Sequence, residues 1–450
     1  MKSKNYDIVV VGGGTAGCSC AWNAARLGLK TLLIEKNSYL GGAITSQLVI
    51  PAMKTDDRNF NTNFYDELCN QAALNDSQIT YIDGNKGWFN PIKLPSILNR
   101  MLIEVGVHIS YNSKISDASE NIVSKHSNKN TRILSLCIDT NCSDNKIINN
   151  CIDMKHNDNH EVEKLHKINS KYFIDATGNA DLSVILGAKL LPFEKNQAMT
   201  LRFIMEGVDI PAFAQWLLTV DSNRNVTTTA EINGNTHLST ACTWDLGPNW
   251  ALKPIFDKAV SEGVLKDSDR AYFQVFSIAG EDDKIAFNCP RIIADSELSP
   301  LNKSDLKLAR AIGEEAANRL AVFCCKYFNG FENAKIHKIA DEIGVRESRR
   351  VKGKYVLTKE DIYNAKTFEN PVAYSNYPID VHSVKKDDYI LDYVQKTYSI
   401  PLESLMVEGF ENLFVIGRCL SADFYAQAAV RIQPTCFSMG EGLAKYLALL

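Results

Sequence analysis

The chain has twelve cysteines but no C-x-x-C. That absence argues against a thioredoxin-type redox site and a zinc ribbon, both of which need two closely spaced thiols. H-E-x-x-H, clustered Asp/Glu metal patterns and the G-x-S-x-G nucleophile elbow are also missing, which argues against metal and hydrolytic chemistry. No apolar stretch is long enough to span a bilayer, and there is no acidic or basic tail. A formal net charge of -4 gives no reason to expect nucleic acid or an anionic membrane as a partner. The opening "MKSKNYDIVVVGGG" has too short an apolar core for a signal peptide, so a cytoplasmic location is expected. In a reducing cytosol the cysteines are expected to be small buried residues or reactive thiols.

What is present points to an α/β protein. At 450 residues, 45% apolar and 23% charged, the chain has the composition of a globular protein of two or three domains. "YDIVVVGGGTAGCSCAWNAARLGLKTLLIEK" reads as strand, glycine turn, helix and strand. Asp7 to Val11 is nearly continuous apolar sequence, as in a parallel strand buried on both faces. Gly12, Gly14 and Gly17 form G-x-G-x-x-G: the first allows a tight turn, the second lets backbone approach a pyrophosphate, and the third lets helix and strand pack closely. With Thr15 and Ala16 they place a helix N-terminus against an anion. Glu35, followed by Lys36, ends the second strand where it can accept from a ribose hydroxyl. Alone, the motif could be no more than a tight turn; the flanking strand, helix, second strand and acid favour a dinucleotide.

Residues 1–192 are expected to form the first part of a Rossmann-like FAD-binding domain. Within it, Pro91 to Val107 reads as an amphipathic helix followed by a strand through "HISYNSKI". Residues 116–170 read as an elaborated polar β-meander, interrupted by the apolar runs "RILSLCI" and "KIINNCI" and ended by "KYFIDATG". Residues 193–400 are expected to be an α+β substrate or cap domain. Its clearest helix runs from Ser304, read as the cap, to Phe328, with a stripe of Leu308, Ile312, Ala316, Leu320 and Phe323. Residues 401–450 return a strand and helix to the first domain, through "NLFVIGRCLSADFYAQAAVRIQPTC". A cradle completed from both ends of the chain suits FAD, which must be held along its whole length.

The stretches "DIVVVGGGTAG", "LGGAIT", "IDATGNADLS", "IGVRESRR", "YPIDVH" and the closing segment resemble the FAD-dependent oxidoreductases related to the fumarate reductase and glutathione reductase-2 flavoproteins. The resemblance implies FAD as cofactor and adds Gly41, Gly42, Ala43, Thr45, Ala176, Thr177, Gly178, Asp181 and Gly417 to its contacts. It also implies that Pro434, Thr435 and Cys436 open a helix aimed at the pyrimidine edge of the flavin, where the positive helix end stabilises charge. The alternative, an ordinary proline-initiated packing helix, is the less favoured. Many such flavoproteins carry Asp directly after the glycine of the closing strand. Arg418 stands there instead, suggesting a cationic contact to the pyrophosphate.

The glutathione reductase class keeps a C-x4-C beside the flavin, just after the second strand. Here that stretch, "GGAITSQLVI", has no cysteine; Cys137 and Cys142 fall in the meander, and there is no second G-x-G-x-x-G. A pyridine nucleotide–disulfide oxidoreductase is therefore rejected, and Cys18 and Cys20 are read as packing residues. Candidate substrate groups are Arg346, Arg349 and Arg350 of "GVRESRR", Tyr377, Asp380 and His382 of "YPIDVH", and Arg431 and Cys419. Arginine clamps a carboxylate bidentately and histidine exchanges a proton while flavin N5 exchanges a hydride with a small organic substrate. Against this, the arginines could pair with acids such as Glu347 on a solvated face, Arg431 could touch only the cofactor, and Cys419 could be core. His382, Arg346 and Arg431 are taken as the catalytic set. The alternative function is a non-redox dinucleotide-binding protein, thiazole-synthase-like or with an RNA or assembly role.

Overall fold

A computed structural model describes residues 4–55, 60–81, 84–125, 128–140, 165–193, 196–223, 226–242, 250–294, 296–382, 390–392 and 396–450. Cys142 and the run "KIINNCI" lie outside the described residues. Strand β1 (Lys4–Val11), helix α1 (Thr15–Arg26) and strand β2 (Thr31–Ile34) form the unit read from the glycine motif. The apolar run of β1 serves two cores at once. Ile8 and Val10 enter one, with α1 and the last helix; Tyr6, Val9 and Val11 enter the other, with the meander strands. Burial on both faces is what a parallel inner strand needs.

The seven-stranded sheet runs in the order His108–Ser110, β2, β1, Leu165–Asp175, Asn128–Thr140, Ser113–Lys125. The strand Leu165–Asp175 divides one edge between two neighbours. Leu165 to Asn169 pair antiparallel with Asn128–Thr140, and Phe173 to Asp175 pair parallel with the late strand Leu413–Val415. The sequence "HISYNSKI" is broken at Asn112, which takes φ +50° between two strands. The expected helix over residues 91–107 spans Leu94–Glu104.

The last helix, Gln433–Ala448, lies directly on α1. A Cβ on Gly440 would fall 2.4 Å from Ala16 O and 2.8 Å from Cys20 N, so only glycine permits this spacing. Ser19 Oγ donates to Phe437 O at 2.7 Å across the same contact.

A second, six-stranded sheet is antiparallel, in the order Thr227–Ile232, Asn235–Cys242, Phe273–Ser277, Ile285–Phe287, Phe203–Glu206, Lys335–Ile339. Strand alternation divides its faces. Phe203, Met205, Phe273, Val275, Ile285 and Phe287 pack under helices, including Lys303–Tyr327. Ile204, Phe276 and Ala286 face the other way, onto Leu48, Ile50 and Trp88. Arg202, Gln274 and Asn288 continue the parity of that second face, so the alternation that buries the core also aims a polar row at the first sheet's loops.

Candidate active site

Val11, Ile34, Asp175 and Val415 stand in register across the first sheet. The chain therefore leaves it at four adjacent points, the carboxyl-end crevice where open α/β sheets hold ligands. Gly12 turns with φ +107°, and a Cβ there would meet Ala176 O at 2.5 Å. A Cβ on Gly17 would sit 1.9 Å from Gly12 O, so this glycine lets α1 close on the turn. Gly14 differs: its Cβ would meet only Gly42 Cα, at 3.8 Å. It needs no glycine for the fold, and its open side faces the crevice.

Glu35 is 6% exposed and braces the turn, accepting from Gly13 N at 2.6 Å and Asn37 N at 2.8 Å. Burial pushes its carboxyl up, opposed by those two N–H groups. The loop after Leu165–Asp175 is shaped by the fully buried Asp175, which accepts from Thr177 N and Oγ1 and from Ser183 N and Oγ.

These loops open on one cavity of about 1530 Å3. Of the expected cofactor residues, all line it except Gly17, Gly41, Thr45, Pro434 and Thr435. Those five sit one layer back. Gly17 packs on Gly12, Gly41 N donates to Gly13 O, Thr45 Oγ1 donates to Leu40 O, Pro434 occupies the first turn of the last helix, and Thr435 is fully buried. Arg418 lines the cavity with its guanidinium anchored to backbone and side-chain oxygens. Its Nε donates to Gly178 O (3.0 Å), Nη2 to Asn179 Oδ1 (2.7 Å) and Nη1 to Val345 O, so it ties three loops together.

The crevice fits FAD. α1 has neither a side-chain cap nor an acid in its first turn, leaving its N–H groups for an anion. Gly14 leaves room for backbone approach, and the last helix begins with two buried oxygens, Gln433 Oε1 and Thr435 Oγ1, that have no partner among the described residues. The cavity exceeds the roughly 300–1,000 Å3 of ordinary single-ligand pockets, which leaves room for a second molecule.

The remainder of the cavity is cationic. Thr200 is bridged to Arg291 on one side and to Gly344 on the other. Arg346, two residues past Gly344, donates through Nη1 to Ala198 O (2.6 Å) and Thr200 Oγ1 (2.8 Å). Arg202 follows Thr200 by two residues. Arg291 Nη2 lies 3.1 Å from His382 Nδ1, His382 Nε2 lies 3.1 Å from Asp380 Oδ2, and Arg431 Nη2 donates to Asp380 O at 3.0 Å. Burial pushes the Arg346 guanidinium well down, helped by Arg202, Arg431 and Arg291. Burial alone would raise Asp380, but His382, Arg431 and Arg346 hold its carboxyl well below the usual range.

His382 lines the cavity between Arg291 and Asp380. A guanidinium only donates, so Nδ1 must accept from Arg291 and Nε2 must carry the proton given to Asp380. The residue is 9% exposed, and burial, with Arg346 next, pushes the imidazole down to about 3. It is therefore neutral near pH 7, with Nε2–H turned onto Asp380. An unfolded histidine takes its proton near 6.5 while folded His382 resists to about 3. The unfolded chain therefore binds the extra proton between those values, and stability falls as pH drops through that window. Denaturant midpoints measured from pH 7 to 4 should show this slope, and His382→Gln should flatten it. Arg291, Arg346, Arg431, Asp380 and Tyr272 face the ring and remain in that variant.

Of the three arginines of "GVRESRR" only Arg346 lines the cavity, beside Gly344 and Val345. Arg349 Nη1 donates to Asn179 O and meets Asp181, while Arg350 pairs with Glu347 at 3.0 Å, both buried. Tyr377 and Asp380 line the cavity; Cys18, Cys20 and Cys419 are buried core. Arg202, Arg291, Tyr272, Gln274 and Asn288 escaped the motif reading. Arg202 carried a signal, being an arginine inside the apolar strand "MTLRFIME".

Among the described residues no group of His, Cys, Asp and Glu could hold a metal ion, and no helix is long and apolar enough to cross a membrane. Short stretches of the chain are similar to curated proteins. They include mitochondrial glycerol-3-phosphate dehydrogenase of Rattus norvegicus, 48% identical over 42 residues (9% of this chain, 6% of that protein). Another is thiamine thiazole synthase of Aeropyrum pernix, 47% identical over 43 residues (10% of this chain, 16% of that protein). These matches thus span less than a fifth of either relative. Among solved structures, a geranylgeranyl bacteriochlorophyll reductase-like protein from Thermoplasma acidophilum is 14% identical, covering 100% of this chain and 79% of that one, with a TM-score of 0.47. The family described as FAD dependent oxidoreductase matches residues 7–449. With a match over nearly its whole length, the chain belongs to the FAD dependent oxidoreductase family, and FAD is its cofactor.

Proposed function

We propose that this flavoenzyme transfers a hydride between N5 of FAD and a small anionic organic molecule held in the arginine-lined part of the cavity. One observation carries the reading. Arg346 spends Nη1 on Ala198 and Thr200, and its Nε and Nη2 have no partner among the described residues while the side chain lines the cavity. That edge is the fork that receives a carboxylate through two parallel bonds. The acid beside this cluster, Asp380, is already held by His382 and Arg431, so among the described residues no acid is left for Arg346. Bound FAD supplies the acceptor or donor of the electron pair. The protein's part is to fix the substrate by its carboxylate, orient it through Asp380 and neutral His382, and keep water from the reacting carbon.

Anaerobic mixing of the holoenzyme with a panel of organic acids tests this. An acid that bleaches the visible flavin absorbance, more slowly when its reacting C–H is deuterated, is the expected result. An acid that bleaches the flavin with no isotope effect, or a flavin reoxidised from its dithionite-reduced form by none of the panel, would favour other chemistry.

A further inference from the structure

We infer that the substrate carries two anionic groups, one for Arg346 and a second for a separate donor pair made by Arg202 and Gln274. The inference rests on the proposed substrate site and adds the class of molecule it takes. Side-chain orientation on the second sheet is fixed by a chain of donors and acceptors. Arg202 Nε donates to Asn288 Oδ1, and because a guanidinium cannot accept, Asn288 must present its oxygen there and its Nδ2 elsewhere. Nδ2 donates to Gln274 Oε1 at 2.6 Å and to Tyr272 Oη at 3.2 Å; Tyr272 Oη in turn donates to Gln274 Oε1 at 3.0 Å. The Gln274 oxygen is thereby filled and its Nε2 is turned away from the network. Neither Gln274 Nε2 nor Arg202 Nη2 has a partner among the described residues. Arg202 Nη1 reaches Gln47 O only at 3.4 Å. Both side chains line the cavity, and Arg202 is 5% exposed.

A buried cation without a counter-ion is costly, and this site keeps more than one. Arg346 and Arg202 each present an unfilled donor edge, Arg431 adds Nη1, and among the described residues Asp380 is the one acid in contact with the group. Glu347, next to Arg346 in sequence, is engaged by Arg350. A monoanion would satisfy one guanidinium and leave the other bare. A molecule with two carboxylates, or a carboxylate and a phosphate, would satisfy both. The exposed Lys54, Lys307 and Lys396 also line the cavity, which elsewhere carries the acids Asp181, Asp341 and Glu342.

The test uses the oxidised holoenzyme and reads perturbation of its flavin absorbance, which requires no electron transfer. The probes are straight-chain dicarboxylates from malonate to adipate and 2-phosphoglycolate, each against the monocarboxylate of equal length. The expected result is one dianion binding at least ~10-fold tighter than its monoanion, a difference of about 1.4 kcal/mol. Which probe wins separates a dicarboxylate from a phosphorylated acid. In Arg202→Met the dianion should fall to the monoanion's affinity while the monoanion changes little; Arg202→Lys should fall between. If Arg202→Met does not fold, salt dependence in the wild type serves, with dianion binding weakening more steeply. Equal affinity for dianions and monoanions, or equal loss of both in Arg202→Met, overturns the inference. Dianions that bind tightly but never bleach the flavin would leave this inference standing and defeat the hydride-transfer reading. Bleaching by a neutral compound, with no dianion preference, would do the reverse.

Discussion

Gly14→Val should purify as a folded, colourless protein. A Cβ at this position meets nothing closer than Gly42 Cα at 3.8 Å, an ordinary van der Waals contact. The branched side chain then fills the side of the glycine turn that faces the crevice, where the FAD pyrophosphate needs backbone alone. A loss of FAD affinity on the order of 100-fold, about 2.7 kcal/mol, is expected, read by titrating apoprotein with FAD and following quenching of the flavin fluorescence. Gly17→Ala is the contrasting control. Its Cβ would lie 1.9 Å from Gly12 O, so α1 must shift, and the thermal midpoint should drop before binding is even considered. Full FAD occupancy of Gly14→Val at limiting cofactor would place the pyrophosphate elsewhere.

Arg346→Ala should keep the yellow colour and lose the substrate. The side chain sits away from the glycine turn, bonded to Ala198 and Thr200, so the flavin spectrum should be unchanged. Removing one partner of a buried charged pair costs about 2–5 kcal/mol. The concentration of substrate needed for half-maximal flavin bleaching should rise by about 30-fold or more, measured by stopped-flow absorbance with the acid found by screening. Arg346→Lys should recover only part of the loss, because an ammonium restores charge without the fork. An unchanged half-saturation in Arg346→Ala would return this arginine to a purely structural role.

The first fold was legible because glycine spacing encodes backbone geometry directly. Gly12, Gly14 and Gly17 announce a turn whose tight clearances the fold bears out at Gly12 and Gly17, and the apolar run before them is an inner strand. Where the signal was local but the decision was tertiary, reading drifted. The helix Lys303–Tyr327 is capped by Asn302, whose Oδ1 accepts from Ser304 N, rather than by Ser304. Its buried stripe starts at Ala309 and Gly313, leaving Leu308 47% exposed, because Gly313 must pass against Leu201. The substrate end was legible only in part. Arg346 and His382 stood in suggestive motifs, but the partners that set their states, Arg202 and Arg291, come from distant segments joined at Thr200. No spacing within one segment could report that His382 would be held neutral.

The divided edge of Leu165–Asp175 has a consequence for the chain as it is made. Its upper half pairs with Asn128–Thr140, which is synthesised first, but Asp175 waits for Val415, 240 residues later (415 minus 175). At about 5–20 residues per second the ribosome needs roughly 10–50 s to supply that neighbour. Throughout that interval the half-built sheet carries bare N–H and C=O groups beside apolar Phe173 and Ile174, a surface that invites pairing with another nascent chain. The second sheet is translated within the gap, and all its strand pairings fall inside residues 203–339. The nucleotide crevice is therefore the last part of the molecule to become whole, and the interval before it closes is when a chaperone has most to protect.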